Sequence, residues 1–152
     1  MRHWLIATAL MSIALATLVI AIAPRSKPVV TVYMHPDCGS CRRWAAHLES
    51  RGFLVQLGDE RDWPLIRSQF RVMPGFQSSH TAVVDGLFIE GPVPAHDIHV
   101  ALTWRKTHRV LGLIVPGVPR GSPGMDSPFP QPYTVFYMRE GGLMQPFAVH
   151  DH

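Results

Sequence analysis

An α/β fold with the element order β-α-β-α-β-β-α is predicted by three observations. A β-branched and aromatic run, Val29 to Met34, leads directly into Cys38-Gly39-Ser40-Cys41 at the start of a helical pattern. Asp85-Gly86 between two apolar runs is a strong hairpin signal. A further helix opens at Pro94, after that hairpin. This is the thioredoxin-like order, with the CxxC at the turn from the first strand to the first helix. An N-terminal membrane segment is expected before it, and a Pro/Gly-rich C-terminal extension ending in a hairpin after it.

"VVTVYM" reads as a buried strand. In "SCRRWAAHLESRG", Cys41, Trp44, Ala45 and Leu48 fall at i, i+3, i+4 and i+7, one apolar helix face, and Gly52 suits a left-handed cap. Phe53 to Leu57 reads as the second strand, and Asp62 is an N-cap candidate before Trp63-Pro64, opening a short helix through Phe70. "TAVV" and "LFIE" form the hairpin, and Ile98, Ala101, Leu102 and Arg105 share a stripe on the last helix. Residues 29–105 are therefore assigned to the thioredoxin-like domain. Residues 106–132 read as a wrapping loop, because Pro116 to Pro132 contains six prolines and three glycines. Residues 133–149 read as a hairpin turning at Gly141-Gly142, with Pro146 tolerated at a sheet edge.

The 152 residues, 47% hydrophobic and 16% charged, suit one globular domain. The net charge of +3 is spread thinly, and no Lys/Arg cluster alternates with aromatics, which excludes a nucleic-acid groove. Trp4 to Ala23 carries no charge and as a helix would span about 30 Å of hydrocarbon. Ala21-Ile22-Ala23 has the form of a signal-peptide cleavage site, but Pro24 directly after it opposes cutting. Residues 1–23 are thus a membrane anchor or signal peptide, with the anchor favoured, residues 24–28 are a linker, and the domain is expected outside the cytoplasm.

Cys38 and Cys41 are the only cysteines. A thiol at a helix N-terminus, with Arg42 and Arg43 beside it, ionises more readily than a free cysteine, and the thiolate is both nucleophile and soft metal ligand. The pair could form a disulfide or hold one ion. Structural zinc wants four ligands, whereas Cu(I) accepts fewer and favours thiolate and thioether. The loop Ser78-Ser79-His80-Thr81, just before the hairpin, faces the CxxC in this fold, which makes His80 the candidate third ligand. Thiol-exchange enzymes carry a cis-proline in that loop, and no proline stands between Gly75 and Thr81. His35 and His47 flank the motif, with His47 six residues past Cys41 and off the cysteine turn; His96 and His99, at i and i+3 on the last helix, are expected on a solvated face, and His150 and His152 at a frayed end.

"VTVYMHPDCGSCRRWAAHLESRGF", "SHTAVVDGLFIEGPVPAHDI" and "GLIVPGVPRGSPGMD" resemble three successive blocks of the CopG-like family. These are small thioredoxin-like metal-binding proteins of bacterial envelopes, long grouped as a domain of unknown function and linked to copper handling. The resemblance runs from Val29 to Asp126. It implies copper binding by cysteines between the first helix and the hairpin loop, with copper redox chemistry and copper tolerance as the setting, on the periplasmic side of the envelope. The family's Cys-Gly-Cys-Cys and Cys-His-Thr motifs meet Ser40 and Ser79 here, so two of four usual cysteines are replaced. The resemblance carries over to Cys38, Cys41 and His80, not to Ser40 or Ser79, and Met125 in "GSPGMD" also matches, as an extra thioether or as apolar filling.

Three readings stay open. One is a metal-binding protein holding Cu(I) at Cys38, Cys41 and His80, with Met125 as an added ligand, in copper homeostasis, partnered by envelope copper-handling or thiol-redox proteins. The second is a thiol–disulfide oxidoreductase in which Cys38 attacks and Cys41 resolves. The third is a degenerate family member serving as an interaction module. No organic cofactor is expected.

Overall fold

The computed structural model describes residues 26–151. The membrane segment expected at residues 4–23 lies outside the described residues, as does His152. Among the described residues no helix is long and apolar enough to cross a membrane.

The chain forms β1 (Val29–Met34), α1 (Gly39–Ser50), β2 (Leu54–Leu57), α2 (Trp63–Gln69), β3 (His80–Val84), β4 (Leu87–Glu90), α3 (Ala95–His108), β5 (Val110–Ile114), β6 (Tyr133–Arg139) and β7 (Met144–His150). All seven strands join one sheet in the order β2-β1-β3-β4-β5-β6-β7. β1 pairs parallel to β2 and β4 parallel to β5, and the other neighbours are antiparallel.

Strand alternation sorts side chains onto two faces. Val30, Val32, Ala82, Val84, Leu87 and Ile89 meet Trp44 and Leu48 of α1 and Ile98 and Ala101 of α3 in the main core. Phe88, Ile114 and Met138 point the other way, against Val72, Phe70 and Phe76. The buried face of α1 is Cys41, Trp44, Ala45 and Leu48, the stripe its spacing defines. Asp85 and Gly86 both take positive φ (47° and 73°), the two-residue turn that matches strand twist.

Residues 106–132, expected as a wrapping loop, are not loop throughout. α3 continues to His108, and Val110–Ile114 is an interior strand between β4 and β6. Its strand signal is short and broken by Gly112, followed by the prolines that dominate the segment. Gly112 is required there, because a Cβ would sit 2.2 Å from the Phe88 ring. The final hairpin therefore extends the same sheet through β5, and Pro146 lies on β7, the edge strand, beside a register shift.

Candidate functional site

The site forms where β1 ends and α1 begins. Cys38 is the N-cap of α1, its sulfur accepting the Cys41 backbone N–H at 3.4 Å. The helix thus starts within the motif and places both sulfurs on its first turn. Cys38 and Cys41 are joined as a disulfide, with Cα atoms 5.3 Å apart. Cys41 is fully buried under the core, whereas Cys38 remains partly exposed. The two arginines that follow are tied to carbonyls: Arg42 donates to Pro36 O, and Arg43 Nε donates to Gly124 O at 3.1 Å.

The start of β3 supplies the opposite wall. Cys41 Sγ lies 3.4 Å from the Ser79 carbonyl oxygen and 3.5 Å from Ser79 Oγ. Ser40 Oγ lies 3.5 Å from Cys38 Sγ. Each of the two serines singled out in the sequence therefore stands beside one of the two sulfurs. His80 follows on β3, fully buried, its ring 4.3 Å from that of Trp44 and its Nδ1 3.5 Å from Ser79 Oγ. Its Nε2 has no hydrogen-bond partner among the described residues. Burial pushes the imidazole down to about 4, opposed in part by a marginal contact of the ring with the Gly91 backbone that falls outside hydrogen-bonding geometry, with the Arg67 charge adding to the shift. His80 is therefore neutral across the physiological range and keeps a lone pair.

The Pro/Gly-rich loop folds back onto this corner at Gly124. A Cβ there would lie 2.7 Å from Ser40 O and 2.8 Å from Trp44 N, so only glycine allows the approach. Met125 comes next, half-buried, its backbone turned by hydrogen bonds with Ser122 and Gly121. In this disulfide form no group of three or more His, Cys, Asp or Glu among the described residues is arranged to hold a metal ion.

Residues outside the predicted set complete the corner. Glu90 is fully buried and paired with Arg67 at 2.7 Å, in a network with Ser78, Thr81 and Trp63. The visible signal for it is Glu90 itself, a charge ending the otherwise apolar run "LFIE". His47, off the cysteine turn, joins α1 to α3: its Nε2 accepts the Ala95 N–H at the start of α3, at 3.2 Å. His150 is not frayed, since its Nε2 meets Asp97 Oδ2 at 2.7 Å and its ring stacks on Tyr133. His99 stacks on Phe53 and meets Arg51 O.

A CxxC disulfide capping a helix, with Ser79 of the neighbouring arm against Cys41 and the next residue, His80, buried against Trp44, defines an α/β protein with a cysteine pair at its first strand-to-helix turn. The chain is similar to two solved structures named "Copper resistance protein copG", Form 1 and Form 2. The first is 35% identical over 83% of this chain and 99% of that one, with a TM-score of 0.74. The second is 36% identical over 82% and 98%, with the same TM-score. The family model described as "Protein of unknown function, DUF411" matches residues 76–125, which hold the Ser79-His80 arm, the hairpin and the loop to Met125. The chain belongs to this CopG-like family. No curated protein matches it.

Proposed function

We propose that the chain is a metal-binding protein that holds Cu(I) on reduced Cys38 and Cys41 with His80, in copper homeostasis or tolerance. The observation that carries this reading is His80: a buried, neutral imidazole with an unpartnered Nε2, on the arm that touches Cys41. A buried nitrogen with no partner is costly unless something engages it, and neutral imidazole is a good ligand for copper. Reduction would free two thiolates, which are soft donors, while Ser40 and Ser79 offer only hard hydroxyls. The site thus suits a low-coordinate Cu(I) better than a multi-copper cluster. Met125 is a further thioether on the loop that Gly124 docks against α1. The relatives named for copper resistance support the same cargo. The β1-α1-β2-α2-β3-β4-α3 order supports a thioredoxin-like frame, and the uncharged run at residues 4–23 supports an anchored protein on the periplasmic side.

The test is Cu(I) titration of the reduced protein against a competing chelator. Stoichiometric binding that is lost in Cys38→Ala and Cys41→Ala, and weakened in His80→Ala, supports the reading; no binding by the wild-type chain overturns it.

Thiol–disulfide exchange is a second reading, favoured by the unequal burial of the pair. A partly exposed Cys38 thiolate would attack a substrate disulfide, and buried Cys41 would resolve the mixed disulfide, leaving Cys38–Cys41 oxidised and both substrate thiols reduced. Turnover on a disulfide substrate without copper binding would select it.

A further inference from the structure

We propose that Arg67 and Glu90 are positioning residues for the metal arm, fixing Ser78–Thr81 from the sheet face opposite the cysteines so that Ser79 and His80 stand against Cys41 and Trp44. This rests on the Cu(I) reading above.

Alternation along β3 sends His80 toward α1 and Thr81 toward α2, so the arm is held from two sides. On the α2 side, Glu90 Oε1 accepts from the Arg67 guanidinium at 2.7 Å and from the Ser78 backbone N–H at 2.5 Å. Its Oε2 accepts from the Thr81 hydroxyl at 2.6 Å. Arg67 donates in addition to the Ser78 carbonyl, and through Nε to Thr81 Oγ1 at 3.2 Å. Trp63 Nε1 donates to the same hydroxyl at 2.7 Å, and the guanidinium stacks 4.3 Å from the Trp63 ring centroid. Both members of the ion pair therefore grip Ser78 and Thr81, the residues that bracket Ser79-His80.

General stability alone is a poor account of this arrangement. A buried ion pair is often no more stabilising than an apolar pair of similar volume, and α2 brings no buried residue to the core. What the pair supplies is geometry: a planar guanidinium reaching three acceptors fixes the arm in a way that a point charge cannot. Groups that hold a metal's ligands in place from behind orient those ligands and tune affinity.

The test uses the full chain, comparing wild type with Arg67→Lys and with the charge-free double variant Arg67→Met/Glu90→Gln. Three quantities are read: melting temperature, Cu(I) affinity by chelator competition, and the nuclear Overhauser contact between the His80 ring and the Trp44 indole in the copper-free disulfide form. Arg67→Lys keeps a charge opposite Glu90 but loses the fork. The expected result is a melting temperature close to wild type, with Cu(I) affinity about tenfold weaker or more and a weakened ring contact. If the lysine variant unfolds, the double variant leaves no unpaired buried charge and carries the same expectation. Wild-type affinity together with a wild-type ring contact in a folded variant overturns the proposal. If the wild-type chain itself binds no Cu(I), the Cu(I) reading fails, and the ring contact alone decides whether Arg67 and Glu90 position the arm.

Discussion

The imidazole of His80 lies against the indole of Trp44, their ring centroids 4.3 Å apart and their planes inclined by 36°, with neither side chain exposed. Trp44 follows Cys41 by three residues on α1, and its Nε1 donates to the Val93 carbonyl at 2.9 Å. A single indole therefore ties the cysteine helix, the His80 arm and the segment entering α3. Trp44→Phe keeps an aromatic beneath His80 but strands the Val93 carbonyl and leaves a void, and is expected to cost about 1–3 kcal/mol. Trp44→Ala is expected to cost about 3–5 kcal/mol. Urea denaturation of both variants measures this, and near-wild-type stability for Trp44→Ala would show that the indole is not the tie.

Stability should fall in mild acid. His80 has a folded value of about 4 against an ordinary 6.5, so the unfolded chain binds the extra proton between those values. Its contribution is present above about pH 6.5 and is lost as pH falls toward 4, amounting to about 3 kcal/mol in all. His47, lowered by burial and then by Arg51, acts in the same direction. Glu90, raised by burial despite its hydrogen bonds, acts in the opposite one. The difference between wild type and His80→Gln isolates the first effect. Chemical denaturation of both in the copper-free disulfide form, from pH 7 to pH 4.5, should show a gap that narrows with acid. A gap independent of pH counts against a neutral buried His80.

Local spacing made part of the fold legible in the sequence. The α1 stripe of Cys41, Trp44, Ala45 and Leu48 follows from helical period, and the Asp85-Gly86 turn from its demand for positive φ. β5 was hidden because its central residue is chosen by a distant neighbour: Gly112 makes room for Phe88, and it weakens the strand pattern in doing so. The Arg67–Glu90 pair joins positions 23 residues apart, and the His150–Asp97 pair joins positions 53 apart. Neither obeys a period that a local window can detect. The place of the cysteine pair at the first turn of α1, and of His80 at the start of the hairpin's first strand, was legible from the strand and helix signals around them. Of the network behind His80 only Glu90 left a mark, as the charge ending "LFIE", because Arg67, Ser78 and Thr81 are ordinary surface residue types until the fold buries them.

The docking of the loop at Gly124 is also open to measurement. A side chain there would meet backbone atoms of Ser40 and Trp44, which cannot rotate away, at a position with φ of 83°. Gly124→Ala is expected to cost about 1–3 kcal/mol and to lift the loop from the first turn of α1. Amide hydrogen exchange should speed up at Ser40–Trp44 and across residues 121–126. Unchanged exchange at both places would mean that the loop does not cover the cysteine turn.

Ser79 offers the most direct probe of the site. Its Oγ stands 3.5 Å from Cys41 Sγ and is a donor that Cu(I) has little use for. Ser79→Cys puts a third sulfur at that position with little change in volume. In the reduced protein this should tighten Cu(I) binding by about tenfold or more, an effect on the scale of 1.4 kcal/mol, since thiolate is the better soft ligand. In the oxidised protein the new thiol competes for Cys41, and peptide mapping under non-reducing conditions should reveal some linkage between Cys41 and the introduced thiol beside the Cys38–Cys41 disulfide. The paired change Ser40→Cys, at a position whose hydroxyl lies 3.5 Å from Cys38 Sγ, should act on the other sulfur in the same sense. If both cysteine variants fold and neither tightens Cu(I) binding, then Cys38, Cys41 and the arm carrying Ser79 do not enclose a copper site.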